Sequence, residues 1–183
     1  MNTLTRAAWE AAVVRLLDDV YVFAATGPRT DCSWQEDALA VMRREVQDPR
    51  GWAVLDGDED SEERIEHGPS YPFLPLPSDA LATRLHPITP GCAEELLMLM
   101  GYEWMRPSEE EPPQARSDAR TVLSRYGDRI SCYTNVTAAR TTASPDLSEG
   151  VTGWAPLTES VGDFGVVAVS ATEIGVFWSF NPL

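Results

Sequence analysis

Apolar side chains recur at helical spacing in several segments of the chain, and most of these segments carry their own start or stop signals. The first segment covers residues 4–20. The second covers residues 34–47 and begins with Ser33–Glu36, a sequence typical of a capping box. A third covers residues 115–126 and stops at Gly127. Each of these patterns predicts a helix with one buried face.

The densest apolar stretch of the chain lies between Ile88 and Pro107. Thr89 is placed to cap a helix, Pro90 to occupy its first turn and Gly101 to end it. The helix would carry a wide apolar stripe made of Cys92, Ala93, Leu96, Leu97, Leu99 and Met100. We therefore expect a helix that is buried over most of its circumference, followed by a strand at Tyr102–Met105.

Short apolar runs between the helices predict the strands of a sheet. The clearest pair is Phe164–Val169 and Ile174–Phe180, which are separated by Ser-Ala-Thr-Glu and predict a hairpin. Both runs are apolar at nearly every position, so we expect them in the middle of the sheet. Further strands are predicted at Val20–Ala25, where Gly27-Pro28 would break the strand, and at Trp52–Leu55 and Ile130–Val136.

The remaining segments are predicted to be connections. Asp48–Gly51 reads as a turn, Tyr71–Pro77 as an extended segment over the core, and residues 137–163 as loop with a short strand at Trp154. An exposed linker is predicted at residues 108–113. The pattern predicts an α+β fold, a mainly antiparallel sheet of five to seven strands with three or four helices. We expect one domain over residues 1–183, with a possible subdomain boundary at 108–114.

Charge is distributed unevenly along the chain. All fourteen basic residues are arginine, and the net charge is −15. Residues 51–113 alone carry a net charge of −11. Such a field disfavours binding to nucleic-acid phosphates and to anionic membranes, and it speeds encounter with basic partners. The first residues lack the features of a signal peptide and no window is apolar enough to span a membrane, so we expect a cytoplasmic protein.

The acidic segment, residues Asp56–Glu66, holds seven acidic residues and one arginine. Its first residues match the start of a calcium loop, but Ser61 and His67 stand where such a loop needs glycine and glutamate. We therefore expect no metal site and no cofactor. A solvated loop is the simplest interpretation, and a partner-binding surface is the functional hypothesis. Its candidate residues, together with a second acidic run, are Asp56, Asp58, Glu59, Asp60, Glu62, Glu63, Glu66, Glu109, Glu110 and Glu111.

Candidate catalytic groups are sparse. The chain has three cysteines, Cys32, Cys92 and Cys132, and two histidines, His67 and His86. A thiol needs an adjacent base to react quickly at neutral pH, and no local motif of a hydrolase surrounds any of these residues. We therefore expect structural thiols and no catalytic site. The alternative is a small hydrolase or transferase that uses Cys92 or Cys132 with His86.

The stretch from Ile88 to Pro107 resembles bacterial type III secretion chaperone-like domains. In that group a Thr-Pro helix start, an acidic amphipathic helix and a Gly-aromatic-Pro ending follow one another, as Thr89-Pro90, the helix and Gly101–Pro107 do here. The resemblance covers residues 3–107 at most. This sequence departs from the group's pattern at residues 33–47, where it predicts a helix and the group has the strands of a hairpin. The resemblance implies a small α+β domain that binds another protein, and its relatives are associated with secretion and toxin–immunity systems.

These observations together predict a protein that binds without catalysis. We expect a chaperone-like or immunity-type protein that captures a basic toxin or secreted protein through its acidic surface. Two alternatives stay open. One is the small cysteine and histidine hydrolase or transferase, and the other is an acidic DNA mimic that occupies the nucleic-acid site of another protein.

Overall fold

Helices and strands alternate irregularly along the chain. The computed structural model describes residues 4–18, 21–52, 55–56, 61–102, 104–105 and 113–181. Within these ranges the helices are α1 (Arg6–Leu17), α2 (Trp34–Met42), α3 (Glu62–His67), α4 (Ser78–Arg84), α5 (Pro90–Met100) and α6 (Pro113–Ser124). The strands are β1 (Val22–Pro28), β2 (Leu55–Asp56), β3 (His86–Ile88), β4 (Ser131–Thr134), β5 (Gly162–Val169) and β6 (Glu173–Asn181).

The strands form one antiparallel sheet in the order β2-β1-β6-β5-β4-β3. The predicted α+β class with a mainly antiparallel sheet is therefore confirmed. The β5–β6 hairpin lies at the centre, as its apolar runs predict, and pairs from Gly162 opposite Asn181 to Val169 opposite Ile174. A strand buried on both faces has no need of alternating polar residues, which explains the continuous apolar pattern.

Helices cover both faces of the sheet. Helices α1, α5 and α6 pack on one face, and α2 and α4 pack on the other. The apolar periodicity of the predicted helices and strands places seven residues in the core, and the structure buries all of them, namely Trp9, Leu16, Val22, Leu96, Leu99, Val167 and Phe177. Alternation along β6 explains the two clusters, because Phe177 faces the first layer while Val176 and Trp178 face the second.

Local start signals predict the beginnings of α2 and α5 correctly. Thr89 caps α5 by accepting a hydrogen bond from the backbone N–H of Cys92, and Pro90 occupies its first turn. The capping box at Ser33 is formed, with Glu36 returning a bond to the Ser33 backbone. Helix α6 is followed by Gly127 at φ +77°, a left-handed conformation that favours glycine.

The predicted strand at Tyr102–Met105 is wrong. The described residues of this segment form a turn in which the Trp104 backbone N–H donates to the carbonyl of Leu99. Trp104 adopts a left-handed φ of +71°. Its indole lies 5.3 Å from the ring of Phe164, and its Nε1 donates to Ser179 Oγ at 2.8 Å. These contacts hold the chain in a tight turn against the sheet, where the local sequence favours a strand.

The predicted break at Gly27-Pro28 is also wrong, because β1 continues through Pro28. Proline lacks the backbone N–H that a central strand needs, but β2 pairs only with Phe23 and Ala24. Beyond Ala24 the outer edge of β1 has no strand partner among the described residues, so Pro28 is tolerated there while pairing with Glu173 on the other side.

Helix α2 is shorter than predicted, and several elements were not predicted. It ends at Met42 because Arg44, at φ +59°, turns the chain away from the helix. The unpredicted elements are α3, α4 and β3. Residues 53–54 of the predicted strand at Trp52–Leu55 and most of the predicted linker lie outside the described residues. No helix in the described ranges has the length and hydropathy that a membrane span requires.

Candidate functional site

The second half of the acidic segment is a helix, where the sequence pattern indicates a solvated loop. Ser61 caps α3 by accepting a hydrogen bond from the Arg64 backbone N–H at 3.1 Å. Glu62 and Glu63 occupy the first turn, where the helix dipole favours negative charge. Gly68 ends the helix at φ +96°. Serine, two glutamates and glycine at these positions are start and stop signals that could have predicted this short helix.

Arg64 anchors α3 to the body of the protein through Asp56. Its Nη1 donates to Asp56 Oδ2 at 2.7 Å. Arg44 binds the same carboxylate with two hydrogen bonds, from Nε at 2.6 Å and from Nη2 at 2.7 Å. Burial alone would raise the pKa of Asp56, but the bonds from Arg44 and Arg64 outweigh it and lower that pKa. Asp56 is therefore charged, and both of its carboxylate oxygens already accept hydrogen bonds from arginine side chains of the same chain.

The far end of α3 is held by a ring contact. The imidazole of His67 stacks on Tyr71 at 5.4 Å between ring centroids, and its Nδ1 forms a 2.8 Å hydrogen bond with the carbonyl of Glu63. Between the two anchors Glu62, Glu63 and Glu66 are exposed. Ile65 is 82% exposed, the highest value among the large apolar side chains of the described ranges. The helix thus presents three carboxylates around one apolar side chain.

The predicted site residues therefore fall into three groups. Glu62, Glu63 and Glu66 are brought together on α3, and Asp56 lies beneath them in an ion pair. The other candidates, Asp58, Glu59, Asp60, Glu109, Glu110 and Glu111, lie outside the described residues. Within the described ranges, no group of three or more metal-binding side chains occurs.

A buried arginine cluster, which sequence reasoning missed, lies next to the sheet. Arg125 has no exposed side-chain surface, and its guanidinium lies 4.7 Å from the ring of Trp9 and 4.8 Å from that of Trp52. It donates to Asp48 Oδ1 and Glu173 Oε2, each at 2.7 Å. Arg125 Nη1 and Asp48 Oδ2 are buried without a partner among the described residues. No local motif marks this cluster, because its members come from four separate segments.

A cleft of about 320 Å³ opens beside this cluster. We call it the β1 cleft, because Phe23, Ala25 and Thr26 of β1 line it. Its described lining is mainly apolar and includes Phe23, Ala25, Val41, Val46 and Trp52. Its polar lining includes Arg44, Asp48 and Asp56, so the cleft lies between the buried arginine cluster and the anchor of α3.

The candidate thiols are unfavourably placed for nucleophilic chemistry. Burial raises the pKa of Cys92 to about 11, and burial together with the neighbouring Cys92 raises the pKa of Cys132 to about 12. Burial and the charge of Arg140 lower the pKa of His86, and its Nε2 is buried without a described partner. In the sheet His86 lies opposite Thr134, while Ile88 lies opposite Cys132. Cys32 is the exposed thiol.

Another buried carboxylate, Asp163, is fully used by the fold. It accepts hydrogen bonds from the backbone of Leu157 and Thr158 and from the side chains of Thr158, Asn135 and Trp178. Burial raises the pKa of Asp163 despite these donors. The network ties the loop before β5 to the central hairpin, which identifies it as structural.

Comparison of the chain with protein-family models, with curated proteins and with solved structures gives no significant match. The function must therefore be argued from the geometry of the chain itself.

Proposed function

We propose that this protein binds a basic partner protein in the cytoplasm and has no catalytic activity, acting as a chaperone-like or immunity-type protein. The partner would be a toxin or a secreted protein. The observation that carries the proposal is the presentation of Glu62, Glu63, Glu66 and the 82% exposed Ile65 on an anchored helix. Free cysteines agree with a reducing compartment.

The anchoring of α3 supports a binding role over a solvated one. Like charges that are clustered on a surface repel one another and lower folding stability. Here the ion pairs of Asp56 with Arg44 and Arg64 hold the glutamates of α3 on an ordered helix. The glutamates therefore cannot move apart to reduce their mutual repulsion. An ordered surface also loses less conformational entropy when it binds.

The combination of charge and an apolar side chain fits a protein partner. Interface centres commonly contain an apolar anchor, and charged residues around it steer the encounter and fix the register. Ile65 would be the anchor, and arginine or lysine residues of the partner would pair with the surrounding glutamates. Residues 51–113, which contain this helix, hold net charge −11 and so supply the long-range attraction.

Co-purification with matched variants tests the proposal. The acidic variant combines Asp58→Asn, Asp60→Asn, Glu62→Gln and Glu63→Gln. The control variant removes the same number of charges at exposed positions elsewhere, with Asp31→Asn, Asp128→Asn, Glu149→Gln and Glu159→Gln. We expect wild type and control to retain the same basic protein from native cell extract, and the acidic variant to retain at least about tenfold less.

Two outcomes of this experiment would contradict the proposal. One is equal recovery of the protein by the acidic variant and by wild type. The other is equal loss of recovery in both variants, which would attribute binding to net charge and not to the acidic segment. Circular dichroism of all three proteins verifies that the fold is retained.

A further inference from the structure

We propose that β3 is an acid-sensitive edge strand, which separates from β4 when His86 takes up a proton. β3 is the last strand of the sheet and spans three residues, His86–Ile88. His86 lies opposite Thr134 of β4, and Ile88 lies opposite Cys132. Pro87 has no N–H, so β3 donates to this ladder through the amides of His86 and Ile88 alone. Few hydrogen bonds therefore hold the strand in place.

The imidazole of His86 lies on the face of the sheet that α1, α5 and α6 cover. Residues two apart in a strand share a face, and Ile88 belongs to the core cluster on that face. The Nε2 atom of His86 is buried and has no partner among the described residues. A neutral ring can leave this nitrogen without a proton. An imidazolium carries a proton on both nitrogens, so it would bury a charged N–H donor that has no acceptor.

The elements that pack against β3 supply no counter-charge for an imidazolium. They are β4 and a short 3₁₀ helix, Thr137–Arg140, and neither contains an acidic residue. On β4, Cys132 shares the face of His86, and its thiol stays neutral because burial raises its pKa to about 12. Tyr133 lies on the opposite face. At the end of the 3₁₀ helix, Arg140 brings a positive charge close enough to act on the ring.

The charged side chains next to these elements do not change this balance. Arg84, at the end of α4, donates to the carbonyl of Pro156 and adds a further positive charge. On α5, Glu94 is already paired with Arg120. Residues 129–145 hold two arginines and no acidic residue, although the whole chain has a net charge of −15. A proton on His86 is therefore unfavourable as long as β3 stays in the sheet.

This arrangement makes β3 less stable in mild acid. In the closed strand, burial and then the charge of Arg140 lower the pKa of His86. Detachment would return the ring to water and to its ordinary pKa of about 6.5. The detached strand then binds the proton more tightly than the closed strand does. The closed strand is therefore fully stable above about pH 6.5 and loses stability as the pH falls toward the lowered pKa.

Amide hydrogen exchange measured by nuclear magnetic resonance tests this proposal. The ratio of the observed to the intrinsic exchange rate of the Ile88 amide gives the opening constant of β3. From pH 7.5 to pH 5.5 we expect this constant to rise between about twofold and tenfold, the limit for one linked proton. At both pH values it should exceed the constant of Val167 in the central hairpin, because β3 opens without global unfolding. An unchanged Ile88 constant, or one equal to that of Val167, would overturn the proposal.

Three variants assign the effect to His86. His86→Gln cannot take up the proton, so the opening constant of Ile88 should be the same at both pH values. Arg140→Glu changes an exposed position and supplies the missing carboxylate, so it should remove at least about half of the acid response. His67→Gln, which replaces the other histidine of the chain, is the control and should respond as wild type does. A wild-type acid response in His86→Gln, or in Arg140→Glu where His86→Gln fails to fold, would overturn the proposal.

Discussion

Most arginine side chains of this protein form ion pairs with acidic residues of the same chain. The chain has fourteen arginines and no lysine, and at least eight arginines form ion pairs among the described residues. The guanidinium binds carboxylates with two parallel bonds, as Arg15 binds Asp118 and Arg44 binds Asp56. Because these positive charges are tied to internal partners, the surplus of acidic residues is left to face solvent.

The cysteines provide a prediction about reactivity. We expect iodoacetamide at neutral pH to modify Cys32 in the native protein and to leave Cys92 and Cys132 unmodified. Cys32 is exposed, whereas burial raises the pKa of both other thiols and so removes their reactive thiolate form. Mass spectrometry of the alkylated protein measures this directly, and unfolding in denaturant should make all three thiols react.

The same experiment addresses the hydrolase alternative. Alkylation of Cys32 should leave partner binding intact, because Cys32 follows the Pro28 end of β1, whereas Asp56 pairs with Phe23 near the opposite end of that strand. Rapid modification of Cys92 or Cys132 in the folded protein, with loss of activity, would favour the alternative that uses one of these thiols with His86.

At the level of single elements, the sequence predicts those structures whose signals are local. Helix α5 has its cap, its proline and its stop within the segment, and the β5–β6 hairpin has its apolar runs and its turn. The failures arise where distant residues decide the conformation. Trp104 turns the chain because its indole meets Phe164 and Ser179, and Arg44 ends α2 through contacts with Asp56 and Tyr71.

The ion pairs of Asp56 with Arg44 and Arg64 anchor helix α3, and they predict that the free energy of unfolding changes with pH. The folded state lowers the pKa of Asp56 below the ordinary value of about 4. A carboxyl group of this kind adds stability that is present above that value and is lost as the pH falls through the lowered pKa. We therefore expect the wild-type free energy of unfolding to fall below about pH 4.

Asp56→Asn removes this contribution. At pH 7 we expect it to lower the free energy of unfolding by about 1–3 kcal/mol, because Arg44 and Arg64 lose their charged partner. Below about pH 4 the decline should be shallower than in wild type, since one linked proton is gone. Some decline remains, because a hydrogen bond from Arg15 lowers the pKa of Asp118 in the same way.

Urea unfolding at a series of pH values measures both effects. The control is Asp128→Asn, at an exposed position outside the helices and strands, which should follow the wild-type curve. An Asp56→Asn curve parallel to that of wild type from pH 7 to pH 3 would show that Asp56 is not linked to the stability of the fold.

On the scale of the whole molecule, the sequence predicts features that depend on composition. It does not predict features that form only when distant segments come together in the fold. The concentration of acidic residues near α3 is visible in the sequence, and so is the sheet class. The β1 cleft and the arginine cluster are not, because Asp48, Trp52, Arg125 and Glu173 meet only after the sheet has formed. The role of Arg64 as an anchor likewise requires knowledge of its distance from Asp56.

Most of the net negative charge lies in residues 51–113, so the proposed binding should affect the rate of association with a basic partner in a measurable way. If the acidic segment steers a basic partner, the logarithm of the association rate should fall as salt screens the attraction. Removing charges from the segment should slow association and flatten this dependence. Removing the same number of charges elsewhere should change both much less, because screening limits the reach of a charge to about 10 Å at 0.1 M salt.

The most direct measurement is a salt series of association rates for wild type, the acidic variant and the control variant against the captured partner. We expect the acidic variant to associate at least about tenfold more slowly at low salt and with a smaller salt slope, while the control follows wild type. Equal rates and equal slopes for the acidic variant and wild type would contradict the proposal and leave the acidic segment as solvated surface.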